Sequence, residues 1–266
     1  MYQMVPNIDP VYFLGPGLSV ILSVSLVLYW AFRRRFQGSV LLYSLAAYGG
    51  AIALKYAIQI PTVGPFIKAF GVASVQTGLY YGLQTVFLEV GLAYLVARYA
   101  VGRGKLTGDD AEAYGIGLAF WENGVFLGIL SLLSLSLDYL ILAGGSSTVS
   151  QQVYQQLVAV EPQLFEPPAQ ALPTVLFSVL ERISSAMAHF AWGYLVLLSA
   201  YYRKTWPLLI ALPMGLLDAL VPFAGDFSLA AFEGMIFALS LAFLLISLVA
   251  GRKLRTTALV AGTERT

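Results

Sequence analysis

The chain of 266 residues contains no cysteine. Disulfides, thiolate metal sites, iron–sulfur clusters and cysteine nucleophiles are therefore excluded together. Histidine occurs once, at His189, whereas a catalytic zinc takes three protein ligands rich in histidine. A divalent metal such as zinc would have to rest on His189 with carboxylates, Asp218 and Glu122 being the available set; no cofactor is expected. Charge is scarce too: charged residues make up 11%, against roughly 25% in soluble domains. With a net charge of +1 and no basic stripe interleaved with aromatics, no nucleic-acid partner is expected. The HExxH, HxxxD and GxSxG patterns are missing, which removes those metal motifs and the nucleophile elbow. The last apolar run has no lysine before Lys253, so a retinal Schiff base is excluded. The N-terminus, MYQMVPNIDP, lacks the basic n-region of a cleaved signal, and the first apolar run is expected to be retained.

What the chain does have is hydrophobicity: 59% of residues, with mean hydropathy +0.78. Runs long enough to cross about 30 Å of hydrocarbon fall at about 11–32, 38–60, 73–99, 113–143, 173–202, 207–225 and 228–250. The expected fold is an all-α, multi-pass bundle of seven helices in a cell membrane, one transmembrane domain over 1–266. Arg33, Arg34 and Arg35 follow the first run. Arg98, Arg103 and Lys105 follow the third, Arg203 and Lys204 the fifth, and Arg252, Lys253 and Arg255 the seventh. The positive-inside rule makes that side cytoplasmic, giving N-out and C-in. Lys55 and Lys68 are assigned to the other side, which also carries the loop 144–172, devoid of basic residues. Gln151 to Val158 in that loop reads as a short interfacial amphipathic helix, and Glu166-Pro167-Pro168 as an extended segment.

Ionisable side chains within such runs cost about 2.5–3.5 kcal/mol each near a helix centre and so mark functional sites. Glu89, Glu122, His189 and Asp218 lie on four separate runs. Counted from the basic ends at 1.5 Å per residue, they sit roughly 13, 13, 20 and 16 Å deep. One layer, and one polar cavity opening toward the cytoplasmic half, is the expectation. Glu181, Ser185 and His189 recur every four residues and form a stripe on one helix face, while Ser184, Ala186 and Ala188 permit close helix packing. Arg182 needs a bidentate partner; Glu181 is adjacent and points elsewhere, leaving Glu233 or a substrate backbone.

Carboxylates with one histidine suit water activation: burial and neighbouring charges tune such groups for acid–base work near neutral pH, and a second group can stabilise the oxyanion. The same residues can line a proton or cation pathway. A transporter would carry internal repeats and broken helices, but no repeat is evident and Gly/Pro interruptions concentrate in loops.

Several segments resemble the YhfC family of intramembrane proteases, within the superfamily of CAAX-prenyl and Abi proteases and PrsW. Leu180-Glu181-Arg182-Ile183-Ser184-Ser185-Ala186-Met187-Ala188-His189 is similar to that family's Glu-Arg…His helix. Gly115 to Gly124, containing Trp121-Glu122-Asn123, resembles its Gly-rich motif. Gly82 to Glu89 resembles the run into its paired glutamates, and Leu216 to Val221 the last helix motif. The chain departs at Val90, where a second glutamate is expected, at Ala93 for arginine, at Leu118 for histidine, and at Asp218 and Pro222 in the last motif. The resemblance implies an intramembrane endopeptidase, glutamic-type or metal-assisted, acting on a membrane-embedded peptide or protein. Glu89 would be the base and His189 the oxyanion or water partner. Glu122 and Glu181 would orient or tune, with Arg182, Asp218 and Ser185 supporting. A catalytically inactive member that binds transmembrane segments would share these features.

Overall fold

The computed structural model describes residues 6–33, 37–144 and 147–260; Arg34 and Arg35 of the basic cluster, and residues 1–5, lie outside them. Among the described residues there is no strand, and seven helices are long and apolar enough to cross a membrane. They are α1 (Pro10–Arg33), α2 (Gly38–Phe70), α3 (Val75–Gly102), α4 (Gly108–Ala143), α6 (Pro168–Tyr202), α7 (Trp206–Asp226) and α8 (Leu229–Val260), with α5 (Thr148–Val160) in the connecting loop. The chain is a multi-pass membrane protein.

Local chemistry explains the ends. Asp9 Oδ1 accepts from Val11 N at 2.9 Å, capping α1, with Pro10 in the first-turn position that proline favours. Ser74 caps α3 through Thr77 N at 3.1 Å. α2 stops at Gly71, whose φ of +84° suits a residue without Cβ. This helix runs ten residues past the expected end at 60, continuing through Pro61 and Pro65. Prolines are tolerated in membrane helices because neighbouring groups satisfy the freed carbonyls. The extension moves Lys55 from the end of the span to its middle, which corrects its assignment to the outer side.

Helix irregularity is also not confined to loops. Thr85–Val90 in α3 and Phe120–Ile129 in α4 are wound as π-helix, and Leu212–Asp226 in α7 as 3₁₀-helix with Pro213 and Pro222 inside. Such departures recur at functional sites, and here they carry Glu89, Glu122 and Asp218.

α6 is the central helix. Of its most apolar 18-residue window 78% is buried, against 11–39% in the other spans; α8, α4, α3, α7 and α1 all pack on it. Small residues set that closeness. A Cβ on Gly115 would stand 2.6 Å from Phe190 O, and one on Gly193 2.7 Å from Gly115 Cα. Backbone meets backbone here, as small residues permit in membrane helix pairs. Gly115→Val is therefore expected to destabilise the bundle by about 1–3 kcal/mol or more, as overpacking does, measured by the denaturant midpoint in detergent.

The expected amphipathic helix in the loop is α5. With the turn Pro162–Phe165 it packs on Ile8, Tyr12 and Leu142, and Tyr12 donates its hydroxyl hydrogen to Gln163 O. The loop is thus anchored to the ends of α1 and α4.

Candidate functional site

Glu89, Glu122, His189 and Asp218 converge. His189 Nδ1 lies 2.6 Å from Glu122 Oε2, and His189 Nε2 lies 3.0 Å from Glu89 Oε2. The imidazole is thus clamped between two carboxylates from α3 and α4. Its ring is boxed by Tyr48, 5.7 Å away between centroids, and by Trp192 at 4.2 Å. Only 6% of the His189 side chain and 7% of that of Glu89 are exposed, so both depend on each other and on their other partners for polar contacts.

Each carboxylate has further partners. Ser185 Oγ donates to Glu122 Oε2 at 2.7 Å and receives Asn123 Nδ2 at 3.2 Å. This is the α6 stripe in use: Ser185, one turn before His189, holds the glutamate that holds the histidine. On the other side, Glu89 Oε1 pairs with the ammonium of Lys55. Lys55 Nζ also donates to Thr85 Oγ1 at 2.7 Å and reaches Asp218 Oδ2 at 3.3 Å, while Thr85 donates its hydroxyl to the same Asp218 oxygen. A continuous chain of polar contacts runs Asn123–Ser185–Glu122–His189–Glu89–Lys55–Asp218–Thr85, drawn from five spans.

Lys55 and Thr85 are the residues that sequence reasoning missed. The available signal was a lysine inside an apolar run, whose partners become apparent only when α2 is extended to Phe70 and Lys55 faces the Glu89 layer.

The network borders a cavity of about 110 Å³ lined by Glu89, Glu122, His189, Asp218, Arg182 and Glu233, among others. That is room for a few waters at about 30 Å³ each. The cavity lining takes in Glu181, Arg182 and Glu233 from the loop-facing halves of α6 and α8, so the cavity extends from the Glu89–His189 layer away from the basic ends. The expected pairing of Arg182 is corrected. Its guanidinium pairs with the neighbouring Glu181, not Glu233, because two long side chains about 100° apart on a helix can curl together. Glu233 Oε2 is buried with no hydrogen-bond partner.

A metal does not fit this donor set. Glu122 and Asp218 lie on opposite sides of the imidazole: Glu122 takes Nδ1, and Asp218 sits beyond Glu89 and Lys55. Both ring nitrogens face carboxylates, and the cation position between Glu89 and Asp218 is held by an ammonium. Among the described residues, with Lys55 in place, no three His, Asp or Glu side chains are grouped so as to hold one ion. Leu118, where the resemblance calls for histidine, is buried in the hydrophobic core beside Gly193.

A family model described as YhfC intramembrane metalloprotease matches residues 18–230. No curated protein and no solved structure gives a significant match.

Proposed function

Since the chain belongs to the YhfC intramembrane metalloprotease family, we propose that it is an intramembrane endopeptidase that hydrolyses its substrate with a carboxylate and an imidazole. The observation that carries this is the clamp of His189 between Glu89 and Glu122 at the wall of a water-sized cavity, within membrane spans. A carboxylate offers about four lone-pair sites, so Glu89 can hold Lys55 and His189 and still accept a proton. Water entering the cavity gives its proton to Glu89 as its oxygen attacks the scissile carbonyl carbon. An imidazole donating from both nitrogens carries two protons. His189 passes one to the amide nitrogen as the C–N bond breaks, and the proton on Glu89 then restores it. Glu122, held by Ser185, fixes the ring orientation; general acid–base groups of this kind supply about 10²–10⁴-fold each. Arg182 orders Glu181 at the cavity mouth, where a peptide segment would enter from the lipid bilayer.

The test is a comparison of membrane fractions from cells expressing the wild type or Glu89→Gln at equal level. Mass spectrometry of neo-N-termini is expected to find cleavage inside transmembrane segments with the wild type alone. Identical termini in both would overturn the reading, and a partner co-purifying intact with both would indicate a binding protein.

A further inference from the structure

We infer that Lys55 is a tethered cation occupying the place of a divalent metal: its ammonium neutralises Glu89 and Asp218, positions Glu89 against His189, and excludes metal from the centre. This rests on the reading of the cavity as the reaction site, but it makes a claim about ion binding that needs no proteolysis to test.

The geometry carries it. Lys55 comes from the middle of α2 and its side chain is 13% exposed, so its charge must be compensated within the bundle. The compensation is complete. An ammonium has three donors, and here they meet three oxygens, Glu89 Oε1, Thr85 Oγ1 and Asp218 Oδ2. Two carboxylates and a hydroxyl converging on one cationic centre is oxygen coordination of the sort a hard divalent cation takes. The remaining Glu89 oxygen points to His189 Nε2, so the cation fixes the direction of the carboxylate that faces the cavity. With no N–H to spare, Lys55 does not reach a substrate oxygen; it is a positioning residue.

A covalently held cation differs from a bound one in two measurable ways: it cannot be chelated, and its removal creates a site. Purified wild type, equilibrated with zinc and a chromophoric zinc indicator in detergent, is expected to hold well under one zinc per chain. Lys55→Ala frees the oxygens of Glu89, Asp218 and Thr85, with His189 Nε2 one hydrogen bond away. It is expected to take up about one zinc per chain, a His–carboxylate set being an accepted zinc environment. Zinc is then expected to raise the unfolding midpoint of Lys55→Ala and leave that of the wild type unmoved, as binding to the folded form alone requires. The control Lys55→Ala/Glu89→Gln is expected to lose the gain. One tightly held zinc in the wild type overturns the inference, as does a Lys55→Ala protein that binds no more zinc than the wild type. If Lys55→Ala does not survive extraction, the wild-type stoichiometry alone decides. Failure of the cleavage test with this pattern of zinc binding intact would remove the protease reading and leave the tethered cation standing.

Discussion

His189→Ala is expected to lower cleavage by about 10²–10⁴-fold and also to weaken the fold by about 3–5 kcal/mol. The two effects share a cause. Glu89 and Glu122 each direct Oε2 at the same ring, one at each nitrogen. Truncation leaves the buried Glu89 and the partly buried Glu122 without their common donor, and the space of the imidazole lies between Tyr48 and Trp192. Because loss of stability would mimic loss of chemistry, the assay pairs two measurements: cleavage per folded molecule in proteoliposomes, and the detergent unfolding midpoint. Adding Glu122→Gln to His189→Ala is expected to recover part of the stability and none of the cleavage. Equal recovery of both would assign His189 a packing role only.

Lys55→Met is expected to weaken the fold by a similar amount, about 3–5 kcal/mol, the cost of leaving a buried partner unpaired. Methionine approximates the length and apolar stem of lysine, so the loss reports on charge rather than volume. Measured with a chelator present, the single variant exposes Glu89 and Asp218 to each other without a cation. Lys55→Met/Glu89→Gln is expected to be more stable than Lys55→Met alone, and the double-mutant cycle should give a coupling of about 0.5–3 kcal/mol, as for residues in one network. Additivity of the two substitutions would mean that the pair contributes nothing measurable. Asp218 is expected to matter less. Its side chain is 41% exposed and both of its contacts use one oxygen, so Asp218→Asn is expected to cost about 1 kcal/mol in the same assay, in the range of ordinary hydrogen-bond losses.

Much of this centre was legible before the fold was known. Hydropathy alone located seven spans, and the cost of charge in hydrocarbon singled out Glu89, Glu122, His189 and Asp218, which the structure joins in one network. The spacing of Ser185 and His189 correctly put them on one face. What escaped the sequence was long-range pairing and winding. The apolar run ends near residue 60, which places Lys55 near the outer end of its span, whereas α2 continues through Pro61 and Pro65 to Phe70 and leaves Lys55 at its middle. Nothing in a single sequence says that residues 30 and more positions apart, Lys55, Thr85 and Asp218, share one ammonium. The Glu181–Arg182 pair was misjudged for the opposite reason, since backbone direction was allowed to outweigh the reach of two long side chains.

The winding of α7 has a mechanical meaning. Fifteen residues, Leu212–Asp226, rise at about 2.0 Å each in place of 1.5 Å, which lengthens the span by roughly 7 Å. The tighter coil also turns by about 120° per residue against 100°, so the six steps from Leu212 to Asp218 accumulate roughly 120° of extra rotation. Length and azimuth are therefore the two outputs of one screw. Relaxing that stretch to α-helical pitch would both shorten α7 and swing Asp218 a third of a turn away from Lys55.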